Sequence, residues 1–330
     1  MDQNSKLADM RYLVPILLLI FTACEAPKMP LPGITGKAGE LVVVMDNSNW
    51  KGLAGDTVFN VLAQHVYGLP QPEPMFNVVH IKSSAFTKIF QTHRNIVHAN
   101  IGEGRSKSVQ LKTDVWATPQ VVVEISAPTQ AAFIEIFAAN ASQIIGHVLN
   151  KEENRIFKSY NAQLNSEVVK AVEVKFGLKL SIPKGYNLVR EEENFAWIRY
   201  ETKDVTQSIL IYAEPYTREN TFTKNGMIEV IDTFSEKYIL GPDEKTFMST
   251  YMEYPPRMKE TSISGKYSSK LSGLWHIERA LMGGPFVSYA FLDPTEKTVF
   301  YIHGFVFAPG KKKRNYLRQV DAILNSTIAH

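Results

Sequence analysis

The sequence predicts an α+β protein of two tandem domains, each a mostly antiparallel sheet packed with helices, set behind a signal peptide and a flexible tether. Three observations lead there. One apolar run near the N-terminus ends at the only cysteine, Cys24, and passes at once into Pro/Gly-rich sequence. Short β-branched runs bounded by turn residues then recur through the body, as antiparallel strands do. Between and after them lie stretches with apolar residues at helical spacing, which place helices beside the sheets.

The front of the chain sets the address. From Leu13 to Ala23 it reads LVPILLLIFTA, about eleven apolar or small residues against the roughly twenty that span a bilayer. Lys6 and Arg11 precede this run and Thr22-Ala23-Cys24 closes it, the layout of a secretory signal over residues 1–23. Pro15 would break a buried helix here. Residues 24–39 hold three prolines and three glycines and read as a tether. An acyl group on Cys24 would hold a body near a membrane without crossing it.

The first domain is expected over 40–165. Glu40–Met45 (ELVVVM) is a buried strand, and Asp56 is placed to cap the helix carrying Val58, Val61, Leu62 and His65. Phe76–Ile81 is a second strand and Ser84–Thr92 a short helix. Strands follow at Asn95–Ile101, Ser108–Ala117 and Gln120–Ser126. A long helical pattern then runs from Pro128 through Leu164, with a break expected near Gly146 or Asn150.

The second domain is expected over 166–330. Leu178–Tyr186 alternates and ends in a Pro-x-Gly turn, and strands follow at Phe195–Glu201 and Ser208–Glu214. Met227, Ile228, Ile231, Phe234 and Tyr238 share one face of a helix between Thr223 and Ile239. Four more strands are expected, at Thr261–Ser268, Leu274–Leu281, Phe286–Leu292 and Thr298–Phe307. The last, TVFYIHGFVF, is apolar on both faces and belongs in the middle of a sheet. A helix over Arg314–Ile328 closes the chain.

Composition narrows the function classes. The 330 residues are 45% hydrophobic and 21% charged, with 36 basic against 33 acidic side chains and a net charge of +3. That balance gives no general footprint for nucleic acid. A single cysteine excludes an internal disulfide framework and any cysteine-rich metal centre.

Two resemblances add to this. Thr22-Ala23-Cys24 resembles the end of a bacterial lipobox, with Phe21 where Leu is usual. Together with the tether, GKAGELVVVMD and HRNIVHANIG, it is similar to a family of Bacteroidota lipoproteins known only as a domain of unknown function. That implies an acylated Cys24 and no chemistry; since Glu25 and Ala26 follow the cysteine without an acidic run, an outer-membrane position facing the periplasm is expected. From Gly177 onward the element order, with Pro183-Lys184-Gly185-Tyr186 ending its first strand, resembles PsbP-like domains. These imply a binding module in a larger assembly.

The candidate site residues are few. Asp46, Asn49 and Trp50 follow the carboxyl end of the first strand, where α/β proteins place ligands, and are the preferred ligand-binding set. Lys311, Lys312, Lys313 and Arg314 run against the dipole of the last helix and form a candidate basic contact patch for anionic lipid or an acidic partner. Ser181-x-x-Lys184 has an acyltransferase spelling but not the helix it needs. His80, His93 and His98 lack metal-ligand spacing, so no metal and no cofactor is expected. A hairpin turn is expected to account for Ile101–Lys107, and strand patterns absorb His276 and His303. The expected function is a membrane-anchored envelope binding or assembly module, with an envelope protein or glycan as partner. A hydrolase acting on an envelope polymer and a structural spacer are the rivals. A hydrolase should bring paired acidic or histidine groups together in one cleft, a binding module an apolar or aromatic surface.

Overall fold

A computed structural model describes residues 30–243, 245–293, 295 and 297–329. Cys24 and the apolar run before it lie outside the described residues. The first domain runs β1 (Glu40–Val44), α1 (Asn47–Trp50), α2 (Leu53–Leu62), β2 (Asn77–Ile81), α3 (Lys88–Gln91), β3 (Asn95–Ile101), β4 (Ser108–Thr113), β5 (Val121–Ala127) and α4 (Gln130–Asn161). The second continues with α5 (Ser166–Phe176), β6 (Leu178–Lys179), β7 (Tyr186–Glu192), β8 (Phe195–Glu201), β9 (Thr206–Pro215), α6 (Lys224–Tyr238), β10 (Met248–Thr250), β11 (Arg257–Ile263), β12 (Lys266–Ile277), β13 (Gly283–Asp293), β14 (Thr298–Phe307), α7 (Arg314–Asn325) and β15 (Ile328–Ala329).

The architecture is α+β with two main sheets, as expected, but the first differs in strand direction. Its order is β2-β1-β3-β5-β4, with β2, β1, β3 and β5 all parallel and only β4 antiparallel. Side-chain alternation does not encode direction. The clue was burial on both faces: Leu41 and Val43 pack under α2 and α4, while Val42 and Val44 pack against Phe86, Phe90 and Trp116 on the other side. Strands covered twice favour parallel pairing.

Other boundaries move for identifiable reasons. Gly52, not Asp56, is the N-cap of α2, and Asp56 sits in its first turn, where its charge suits the dipole. The segment expected as one helix over Ser84–Thr92 is a 3-10 turn plus α3. Helix α4 is unbroken over 32 residues. Gly146 meets nothing within 4 Å, so it costs only its propensity, about 1 kcal/mol, while anchors hold both halves. Thr129 caps the start by accepting from Ala132 N, and Phe133, Phe137, Ile144 and Val148 pack on the first sheet. By length and composition α4 could cross a membrane, yet these four side chains are buried in the domain core.

The expected tether is docked from Pro32 onward. Pro32 O accepts from Thr118 N, and Thr35 pairs with Thr92 and Arg94 through its backbone. Gly36 has φ +89° with the His93 ring against its Cα, a place no Cβ could occupy.

In the second domain an eight-stranded antiparallel sheet has the order β10-β12-β13-β14-β9-β8-β7, with β11 also pairing β12. β14 lies at its centre, as its two apolar faces predict. The expected strand over Leu178–Tyr186 is only the two-residue β6, which pairs with the returning C-terminal β15, and the sheet strand begins at Tyr186 after the Pro-x-Gly turn. The expected strand over Thr261–Ser268 is a hairpin: Ser264 and Gly265 take φ of +53° and +74°, so the chain reverses there. The closing helix ends at Asn325. Helices α5 and α7 cover one face of the sheet and α6 part of the other.

The two domains share a charged seam. On the first domain's side, Glu152 of α4 accepts from that domain's own Arg94 Nε and Nη2, Arg155 Nη1 and Asn95 Nδ2, at 2.6 to 3.0 Å. Glu73 of the first domain accepts from Lys313 N and Arg314 N, at 2.5 and 3.2 Å, and so caps α7 of the second.

Candidate functional site

The site is built where α6 stops. Thr223 caps this helix by accepting from Gly226 N, and Met227, Ile231 and Phe234 press its inner face onto the sheet. After Tyr238 the chain turns away through Ile239, Leu240, Gly241 and Pro242 to reach β10. The rest of that sheet face is left without a helix. There β8, β9, β12 and β14 form the floor of a groove of about 470 Å³.

Its floor is aromatic. Trp197 from β8, Trp275 from β12 and Phe305 and Phe307 from β14 line it, with Ile277 and Met282 at one side. Both indole donors are used internally: Trp197 Nε1 donates to Ser208 Oγ at 3.1 Å, and Trp275 Nε1 to Val306 O at 3.3 Å. What Trp197 and Phe307, both half-buried, offer a ligand is therefore ring surface, with Trp275 and Phe305 buried beside them. Arg199 stands 5.3 Å over the Trp197 ring, and Trp275 meets Phe305 edge-on, so neither indole is a free flat platform. Leu240 and Leu281, 68% and 108% exposed, project from the loops after α6 and between β12 and β13.

The rim is charged and internally paired. Glu201 bonds Arg199 at 3.0 Å and Asp204 lies 3.4 Å from Lys311. No histidine lines the groove among the described residues. The nearest constellation with a catalytic look is Ser249, His276 and Glu278. Ser249 Oγ is 2.9 Å from His276 Nε2 and donates to Glu278 Oε1 at 2.5 Å, while Glu278 also lies 3.1 Å from Nε2. A proton relay needs the acid on the opposite ring nitrogen from the serine. Here both converge on Nε2, so the three form a closed hydrogen-bonded cluster. Asp232 beside them has its pKa raised by burial, opposed by two hydrogen bonds from Thr250.

The residues singled out from the sequence are scattered. Asp46 is exposed at the start of α1, and Trp50 is stacked on His80 at 4.4 Å with the planes 2° apart, so one of its faces is already covered. His80 Nε2 is 2.8 Å from Met45 O, His93 is 3.5 Å from Glu40, and His98 packs on Phe86. These three histidines are not brought together. Ser181 Oγ donates to Asn161 Oδ1 in an irregular segment. The basic run is split: Lys311 and Lys312 are exposed, whereas Lys313 and Arg314 are buried at 5% and 4% in the seam between domains. Glu73 answers the charge that the run placed at the amino end of α7. His303 is fully buried among Phe234, Phe286 and Phe305, neither ring nitrogen has a partner, and burial lowers its pKa to about 3.

The groove itself went unnoticed in the sequence. Trp197, Trp275 and Phe305 come from distant strands, and each alternates like an ordinary core residue. Where no helix covers the sheet Trp197 is half-buried, while Trp275 and Phe305 are 3% and 4% exposed at the base of the groove.

Residues 165–326 match the family model of a domain of unknown function, DUF4837. A second model, also of a domain of unknown function, DUF8532, matches residues 34–161. No curated protein matches the chain. Among solved structures it is similar to LpqN of Mycobacterium tuberculosis, described as involved in cell envelope biogenesis, at 12% identity and TM-score 0.29, over 46% of this chain and 82% of that one. The Ran-binding protein Mog1p of Saccharomyces cerevisiae gives 11% identity and TM-score 0.29, over 47% and 92%. The lipid transfer and protein localization domain of human StarD13 gives 14% and 0.22, over 49% and 94%. At these scores the likenesses carry no functional argument.

Proposed function

We propose that this chain is a lipid-anchored binding module of the cell envelope, held at the outer membrane by an acylated Cys24 and facing the periplasm, whose second domain takes apolar side chains of a partner protein. The observation that carries the binding role is the uncovered aromatic groove. The anchor rests on the run before Cys24 and its lipobox-like ending. The order of turn, strands, mid-domain helix, antiparallel strands and closing helix supports keeping the PsbP-like reading of the second half.

The chemistry of the groove favours a protein segment over a glycan. A sugar needs a free ring face and polar groups to orient it. Arg199 covers one side of Trp197, Trp275 is 3% exposed, and the rim carboxylates bond cations of the same chain. A Leu or Phe side chain needs only apolar walls and brings about 1.5–3 kcal/mol when fully buried. Leu240 and Leu281 would extend that contact beyond the floor, and the charged rim would fix its orientation.

The groove is tested with 1-anilinonaphthalene-8-sulfonate, an apolar fluorophore. Saturable binding to the full chain is expected, lost in Phe307→Asp and Met282→Asp. Absent binding, or binding untouched by both substitutions, overturns the assignment.

A further inference from the structure

A second cavity, of about 350 Å³, opens between the domains, with Glu152 and Glu153 of α4 on one wall and Lys259, Lys270, Arg314 and Arg318 on the other. Its carboxylates are all engaged. Glu152 is ion-paired with Arg94 and Arg155. Asp321 accepts from Lys270 Nζ and from Tyr289 Oη, at 2.7 and 2.6 Å. Glu153 accepts from Asn325 Nδ2 at 2.7 Å, and burial pushes its carboxyl toward the neutral form.

The cations are not matched in the same way. Among the described residues Lys259, Arg314 and Arg318 form no ion pair. Arg314 gives its guanidinium to Pro74 O, Asn77 Oδ1 and Asn315 Oδ1, all neutral acceptors, while Glu73 beside it is occupied by backbone N–H groups. Arg318 donates Nη2 to Met75 O at 2.8 Å, and its Nη1 is buried without a partner. Glu73, Glu152 and Asp321 favour these charges from a distance, but burying guanidinium groups without a direct ion pair is costly, and an anion bound against them would supply charge-assisted hydrogen bonds. The volume is at the lower end of small-molecule sites.

We propose that the cleft between the domains is a binding site for a small anionic ligand, one bearing carboxylate or phosphate groups, held by Lys259 and Arg318 with Arg314 behind them. Because both domains line it, the bound ligand would also strengthen their packing.

The test is calorimetric titration of the full chain in detergent with pyrophosphate and with citrate, each against sodium chloride of equal ionic strength. Saturable binding of at least one anion is expected, with a raised unfolding midpoint, and the anion that binds names the class. Lys259→Ala, an exposed position on β11, should weaken that binding by about tenfold, and Arg318→Lys likewise. Phe307→Asp in the aromatic groove should leave it unchanged, so this site and the groove fail or survive independently. If neither anion binds saturably, or if both cleft variants bind with the affinity of the unsubstituted chain, the proposal is wrong.

Discussion

Replacing His303 by leucine should remove a pH dependence that is built into the core of the second domain. The imidazole is fully buried, neither nitrogen has a partner, and burial lowers its pKa to about 3. In the unfolded chain the same group titrates near 6.5. Its folded pKa is depressed, so between these values the unfolded chain binds a proton that the native state refuses. Stability is therefore full above about pH 6.5 and falls as pH drops toward 3. Between pH 7.5 and pH 5 the loss amounts to about 2 kcal/mol. A leucine at this position would carry none of this and would also relieve two unsatisfied polar atoms, about 1–3 kcal/mol at neutral pH. Urea denaturation of both proteins at the two pH values reads the difference directly. His303→Leu should be the more stable at pH 7.5, with its lead wider by about 2 kcal/mol at pH 5. A lead that does not change with pH would refute the reasoning.

Three further outcomes are expected. Glu152→Gln should cost about 3–5 kcal/mol at pH 7, because Arg94 and Arg155 lose a buried partner. Burial opposes the charge of Glu152, but Arg94, Asn95 and Arg155 together hold its pKa below the usual range. That stabilisation is present above about pH 4.3 and is lost as pH falls through the lower folded value, so the gap in denaturant titrations should shrink in acid. Gly304→Ala should destabilise by about 1–3 kcal/mol, since a Cβ there would lie 2.2 Å from Val320 Cγ1 on α7; calorimetric melting checks it. Cys24→Ala should release the protein from the membrane fraction, and continued sedimentation with membranes would remove the lipid anchor from the account.

Much of the fold was legible because local pattern and tertiary burial agree in it. Asn95–Ile101 and Thr298–Phe307 are strands over the bounds their apolar runs suggest, and the helical spacing from Met227 to Tyr238 is the buried face of α6. Strand direction in the first sheet was not legible from alternation, because a two-residue period is the same for parallel and antiparallel neighbours. The turn at Ser264-Gly265 carried a recognisable signal, and the flanking alternation concealed it. The basic run shows a different limit. Lys313 and Arg314 look like surface charge until Glu73, 240 positions away, arrives to cap the helix they begin. The groove is least legible of all, since it depends on where α6 ends and on side chains from four strands.

The most direct test of the central claim uses a photo-crosslinking amino acid at Leu240 or Leu281 beside the groove, and at Val174, which is 79% exposed on α5 across the sheet. In cells producing the full chain, both groove positions should yield an adduct with the same partner protein. Val174 should yield none, and Phe307→Asp should abolish the groove adducts. Adducts from Val174 in the same pattern, or none from either groove position, would contradict the account.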